Sequence, residues 1–376
     1  MTDNSKQYDA IILGAGGAGL MCASVAGQRG QRVLLIDHAD EVGKKILISG
    51  GGRCNFTNAG TSAANFISAN PHFAKSALGR YSAQDFIDLV ERYEIEWHEK
   101  TLGQLFCDGS AKQIVEMLLE ECKKGDVTIS LGNRIENVSH SDGNFTIEHG
   151  THQASASSLV IATGGASIPK MGATDFAYDL ARQFGLKVVE PRPALVPFTL
   201  GGDEALFKDL SGISSEIIVS CEKRSFREAA LFTRKGLSGP AILQISSYWN
   251  NGETITIDFL PDRTGDWLVA NKKRKPKSNL RTILSTALPE RLVDALLERM
   301  GIDGTIGARM ADMTDKQLKD IEQQLHDWKF KPNGTEGFAK AEVTVGGIST
   351  SELSSKTMET KKVPGLYVIG EAVDVT

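Results

Sequence analysis

At 376 residues the chain is too long for one small core, and 41% hydrophobic with 24% charged residues is the balance of an ordinary globular protein. A formal net charge of −5 argues against a dedicated nucleic-acid binder. Five scattered cysteines with no C-x-x-C pair speak against a disulfide framework or a zinc site, and seven histidines form no metal-ligand pattern. Met1 to Gln7 is polar, without the apolar core of a signal peptide, and no apolar run approaches the about 18 residues of a membrane helix. A cytoplasmic protein with no membrane partner and no resident metal is therefore expected.

In chain order, Tyr8 to Leu13 is a short apolar run that predicts a buried strand. It leads into Gly14-Ala15-Gly16-Gly17-Ala18-Gly19, where each glycine has a physical task. Gly14 permits a tight turn, Gly16 lets a pyrophosphate approach the backbone, and Gly19 lets the next helix pack closely on the strand. Ala18, Met21, Cys22 and Val25 then fall on one helical face, and Gly30 suits the helix end. Arg32 to Ile36 rebuild a strand, and Asp37 stands where a carboxylate accepts hydrogen bonds from a ribose diol. Strand, glycine loop, helix and acid together point to a dinucleotide site.

Gly43 to Asn58 reads as a long polar loop in which Ser49, Gly50, Gly51, Gly52, Arg53, Cys54 and Asn55 offer amides and donors to a polar cofactor. Ser82 with Asp85, and Ser110 with Gln113, are capping signals for two helices. Val127 to Leu131, Asn133 to Val138, Asn144 to His149 and Leu159 to Ile161 read as strands, the last ending on Thr163-Gly164-Gly165. Pro191, Pro193 and Pro197 suggest a linker out of the first domain. Strand-like runs follow to Phe259, a helical pattern runs from Asp266 to Phe330, and Val343 to Val345 and Tyr367 to Ile369 return as strands. The basic run Lys272-Lys273-Arg274-Lys275-Pro276-Lys277 reads as a solvated loop, open to proteolysis, with RNA or anion binding as the second reading.

The string Gly43-Lys44-Lys45-Ile46-Leu47-Ile48-Ser49-Gly50-Gly51-Gly52-Arg53-Cys54-Asn55 resembles the BaiN-like family of FAD-dependent oxidoreductases, also called aminoacetone-oxidase-like. Pro191 to Pro197, Leu237-Ser238-Gly239-Pro240, Val343 to Gly347 and Gly365 to Glu371 carry the resemblance along the whole chain. It implies an α/β fold: a Rossmann-like FAD-binding domain (1–192 and 341–376) interrupted by a strand-rich, barrel-like unit (193–262) and a small helical lobe (263–340). It implies FAD as the nucleotide, with the glycine loop, Asp37, His38, Lys44, Lys45, Ser49, Gly50, Gly51, Arg53, Cys54, Asn55, Ile135, Thr163, Gly164, Gly165, Gly370, Glu371 and Asp374 as its contacts. Cys54 is a weak catalytic candidate, since thiol reactivity follows thiolate character and exposure. Arg234 stands where family members commonly have His, which puts that residue's role in doubt here. Such flavoproteins typically run on past Asp374 into a glycine-rich turn and a helix, so a chain ending at Thr376 is expected to hold FAD loosely.

The resulting expectation is an FAD-dependent reductase that passes hydride from NAD(P)H, docked transiently, to a small organic acceptor. Two other readings stay open: an FAD-dependent amine oxidase producing peroxide, and a non-catalytic flavoprotein or redox sensor. Substrate and oligomeric state are left open by the residues.

Overall fold

The computed structural model describes residues 5–150, 152–263, 265–302 and 308–376. Thr264 and residues 303–307, within the span read as helical, lie outside the described residues. The chain divides into two compact units, 1–192 with 343–376, and 193–342.

The first unit is built on a sheet whose centre is β1 (Ser5–Leu13). β1 pairs in parallel with β2 (Val33–Ile36) on one side and with His152–Ile161 on the other. Beyond β2 lies Thr128–Ser130, and beyond His152–Ile161 come an antiparallel hairpin (Ile135–Ser141 and Asn144–His149) and the parallel strand Leu366–Val368. Ile11, Ile12, Leu13, Leu35 and Ile36 are fully buried, as expected of a parallel sheet covered on both faces.

The helix after β1, α1 (Gly17–Gln28), buries Gly19, Leu20, Ala23, Ser24 and Gly27. This corrects the face expected from Ala18, Met21, Cys22 and Val25, of which Val25 is exposed. The reason is close packing of small residues. A Cβ on Gly19 would lie 1.8 Å from the Gly14 carbonyl oxygen, and one on Gly27 2.3 Å from that of Gly125, at the end of the helix Ala111–Lys124. Hydrophobicity alone ranks such positions low, yet they set how near the helix comes to its neighbours.

Two segments read as irregular are ordered. Within 43–58, Lys44–Ile48 is a short helix, Ser49–Gly52 a 3₁₀ turn and Asn55–Asn58 a strand paired with Gln104–Cys107. The proline-rich stretch, expected as a linker, includes the strand Val188–Ala194, which forms a two-stranded sheet with Val343–Ile348. Proline is tolerated in a strand whose missing N–H faces no partner, and a two-stranded sheet consists of edges only.

Among the described residues of the second unit, seven antiparallel strands run in the order 328–330, 255–258, 214–221, 224–232, 236–238, 198–199 and 334–335. Laid flat, six spacings of about 4.8 Å would separate the outer strands by roughly 29 Å. Four residue steps from Phe330 to Gly334 reach at most about 14 Å, so the sheet must curl, which gives it barrel-like character. Helices Trp267–Arg274, Leu280–Leu284, Glu290–Arg299 and Asp315–His326 follow. The stretches expected as a strand-rich insert and a separate helical lobe share one buried core, in which Phe207 and Phe232 join Leu284, Leu296, Leu325 and Phe330 from the stretch expected as helical, whose last residues, Trp328–Phe330, form a strand instead.

Phe207 is fully buried against Phe232, Trp328 and Phe330. Phe207→Ala is expected to cost about 3–5 kcal/mol, through lost burial and the cavity left behind. The check is urea unfolding followed by tryptophan fluorescence, since Trp249, Trp267 and Trp328 all lie in this unit. An unchanged midpoint would refute it.

Candidate active site: a glycine cradle and a carboxylate network

The turn between β1 and α1 is closed from beneath. Gly14 has φ +105°, and an added Cβ would meet the Ala162 carbonyl oxygen at 2.6 Å, so side chains are excluded on both counts. Gly16 is the opposite case, because a Cβ there would meet nothing within 4 Å. It faces open space at the head of α1, whose first N–H groups have no preceding turn to bond and whose dipole favours an anion.

Asp37, at the end of β2, is fixed by two backbone amides. Oδ2 accepts from Ala15 N–H at 2.7 Å and Oδ1 from Ala39 N–H at 2.8 Å. A carboxylate offers about four lone-pair sites, which leaves acceptors for a diol. Asp37 borders a cleft of about 600 Å³ lined also by His38, Arg134, Ile135 and Thr163. A narrower cleft of about 200 Å³ shares Gly14, Asp37, His38 and Thr163 with it and continues past Gly14–Ala18 to Lys44, Lys45, Gly164, Gly165 and Glu371.

Glu371, which also lines that cleft, is held by neighbouring groups on its carboxylate. Its carboxylate accepts from Lys45 Nζ at 2.9 Å, Ser167 Oγ at 3.2 Å and Thr344 N–H at 2.8 Å, while Lys45 Nζ also donates to Ser167 Oγ at 2.6 Å. Gly165 is the floor of this network, because a Cβ would lie 2.6 Å from Thr344 Oγ1 and 3.1 Å from Glu371 Oε1. Lys44 is turned away to Asp40 at 2.8 Å, and the Asp40 hydrogen bond raises its pKa.

Ser49, Cys54 and Asn55 line a different cleft, of about 510 Å³, together with Met21, Phe56 and Phe86. It shares Gly17, Ala18 and Lys45 with the narrow cleft. Gly50, Gly51, Arg53, Gly370 and Asp374 line none of the three. Gly50 has φ +59°, and a Cβ would strike the Phe106 ring at 2.6 Å, so its need is conformational. Arg53 is exposed, and Asp374 is buried with Oδ2 unpartnered, its pKa raised by that burial. Cys54 is buried, and burial, then the neighbouring Cys107, pushes its thiol up to about 12. It is a neutral thiol at pH 7, not a thiolate nucleophile.

Sequence reasoning does not single out Ser167, Thr344 or Arg134. Thr344 stands in a string that carries the resemblance and Ser167 just past the strand end Thr163-Gly164-Gly165, but polar side chains at strand ends gain meaning only when the fold brings them to one carboxylate.

These residues fit FAD on three grounds: open space above Gly16, the acceptors left on Asp37, and Thr163 Oγ1, buried without a partner beside both clefts. Parallel strands, glycine turn and terminal acid define a Rossmann-type nucleotide-binding fold, and the family match that follows makes it one of the FAD-binding oxidoreductase class. The chain belongs to the family described as HI0933-like protein Rossmann domain, whose model matches residues 8–376. It is 49% identical over 376 residues to the "Ribosomal RNA dihydrouridine synthase" of Escherichia coli (strain K12), covering 99% of this chain and 93% of the relative. It is 45% identical over 379 residues to the protein of that name from Haemophilus influenzae (99% and 94%). It is also similar to the "3-dehydro-bile acid delta(4,6)-reductase" of Clostridium scindens, at 26% identity over 388 residues (97% and 92%). The first two names leave the expectation of no nucleic-acid partner unsupported. A net charge sums over the whole surface and is blind to local clusters. Among the described residues no helix is long and apolar enough to cross a membrane.

Two substitutions test the cradle. Asp37→Ala should weaken FAD binding by about ten- to a hundredfold, the worth of hydrogen bonds to a charged group, and equal affinity in a fluorescence titration would remove Asp37 from the site. Gly19→Ala forces the helix off the strand, and such overpacking typically costs about 1–3 kcal/mol. Its thermal midpoint and its FAD content should both fall; an unchanged melt would contradict the packing.

Proposed function

We propose that this chain is an FAD-dependent reductase that saturates the C5=C6 bond of a uridine in ribosomal RNA, with NAD(P)H as hydride donor. The reading is carried by the 49% identity to a protein named for dihydrouridine synthesis, spanning 99% of this chain. The BaiN-like resemblance agrees in chemistry. A Δ(4,6)-reductase, like a dihydrouridine synthase, is named for adding hydrogen across a carbon–carbon double bond. In uridine that bond is conjugated to the C4 carbonyl, so hydride adds at C6 and a proton at C5. The balance is uridine plus NAD(P)H plus one proton, giving dihydrouridine plus NAD(P)⁺.

FAD, when bound, supplies two-electron hydride chemistry. The chain's own part is to hold it. Gly14, Gly16 and the head of α1 would take the pyrophosphate, Asp37 the ribose, and Arg134 with Ile135 would flank the adenine side. The Lys45–Ser167–Glu371–Thr344 network would fix the boundary of the narrow cleft and place one cation and one acid there. Cys54 would serve as packing beside the flavin loop, its thiol too weakly acidic to ionise near neutral pH.

The test is anaerobic photometry followed by RNA analysis. NAD(P)H should bleach the flavin, ribosomal RNA lacking the modification should restore its colour, and nuclease digestion with mass spectrometry should find new dihydrouridine. Bleaching by a primary amine, with no dihydrouridine formed, would replace this reading with the amine oxidase.

A further inference from the structure

The run 272–277 places five cations in six residues of a chain that carries 47 acids against 42 bases. Only its second half is the exposed turn its composition suggests. Lys272, Lys273 and Arg274 form the last turn of the helix Trp267–Arg274, where cations oppose the partial negative charge of the helix end. The turn that follows is held in place: Ser278 N–H donates to Lys275 O at 3.1 Å, Ala311 N–H to Pro276 O at 3.0 Å and Met310 N–H to Ser278 O at 2.8 Å.

Lys272 is internally engaged, donating to Met313 O at 2.7 Å and pairing with Asp315 at 2.8 Å. Nearby charges are likewise matched, Arg309 with Asp312 and Lys319 with Asp266. Lys273, Arg274, Lys275 and Lys277 are different. All four are exposed, and among the described residues none of their side chains makes an ion pair or hydrogen bond. The helix end accounts for the first two, but Lys275 and Lys277 lie beyond it. Four neighbouring cations, of which Lys273 alone feels a nearby acid, Asp315, repel one another across the helix end and the turn, and a polyanion relieves that cost.

We propose that Lys273, Arg274, Lys275 and Lys277 form a phosphate-contacting surface that holds the RNA substrate; this rests on the RNA reading given above. An anionic membrane fits less well, because stable attachment usually pairs a basic cluster with an apolar insertion. Among the described residues the exposed large hydrophobics, Val25, Ile48, Tyr81, Leu102 and Leu231, all lie outside this run. Such contacts position RNA without reading its sequence.

The experiment compares the full chain with K273Q/R274Q/K275Q/K277Q, and with the pairs K273Q/R274Q and K275Q/K277Q, on a transcribed ribosomal RNA fragment at graded salt. Each phosphate contact contributes about 0.7–0.9 to the slope of log affinity against log salt. The quadruple variant should lose about 3 from that slope and bind at least about tenfold more weakly at low salt, with each pair losing about half the slope. Thermal midpoint and NAD(P)H bleaching should stay at wild-type values, since these side chains belong to neither core nor cofactor site. Wild-type binding with an unchanged slope in the quadruple variant overturns the surface alone. A wild-type chain that binds no ribosomal RNA at low salt overturns both the surface and the RNA reading, and binding to phosphatidylserine vesicles in place of RNA does the same.

Discussion

Everything at the candidate cleft depends on how closely α1 sits against the turn that precedes it. The Gly14 carbonyl occupies the space a Gly19 side chain would need, and Ala162 backs Gly14 from the other side. With no side chain at either position, the strand end, the turn and the head of the helix collapse onto one another. The first amides of α1 then point into a space left open by Gly16. The same compactness lets Asp37 reach across from β2 to the Ala15 amide, so the acid both braces the turn and borders the cleft.

The second constraint ties the end of the described chain to its beginning. Glu371 and Lys45 are 326 positions apart, yet their side chains meet at 2.9 Å with Ser167 and Thr344 completing the shell. The pair is partly solvent-exposed, so its Coulomb attraction is screened and its worth to stability small. Its consequence is geometric. A carboxylate held by three donors keeps one orientation, and it does so in the wall of the cleft that Asp37 also lines. Gly165 is needed there for the same reason as Gly19, to let polar groups from separate strands converge.

Much of this architecture is legible in the order of the residues. The strand, the spacing of Gly14, Gly16 and Gly19, and Asp37 stand out because each answers a local demand. The capping boxes at Ser82 and Ser110 form as their spacing indicates, since a cap is an interaction across three residues. The buried face of α1 escapes hydrophobic patterning because small residues carry little hydrophobic signal while permitting the closest contacts. Gly43 to Asn58 has the composition of a loop, yet its glycines take positive φ inside ordered turns, and composition does not separate the two. The strand at Val188–Ala194 is hidden by its prolines, which forbid a central strand and are compatible with an edge.

The nucleotide-binding unit and its acid are written in the amino-acid order, because the interactions that specify them span a few residues or one strand–helix–strand repeat. Three-dimensional packing was needed to establish which polar residues share a carboxylate, which cleft each loop residue lines, and which of five neighbouring cations is matched. The carboxylate network and the matched cation depend on contacts between positions tens to hundreds of residues apart. Such contacts follow from how sheets and helices pack, and no local pattern encodes them.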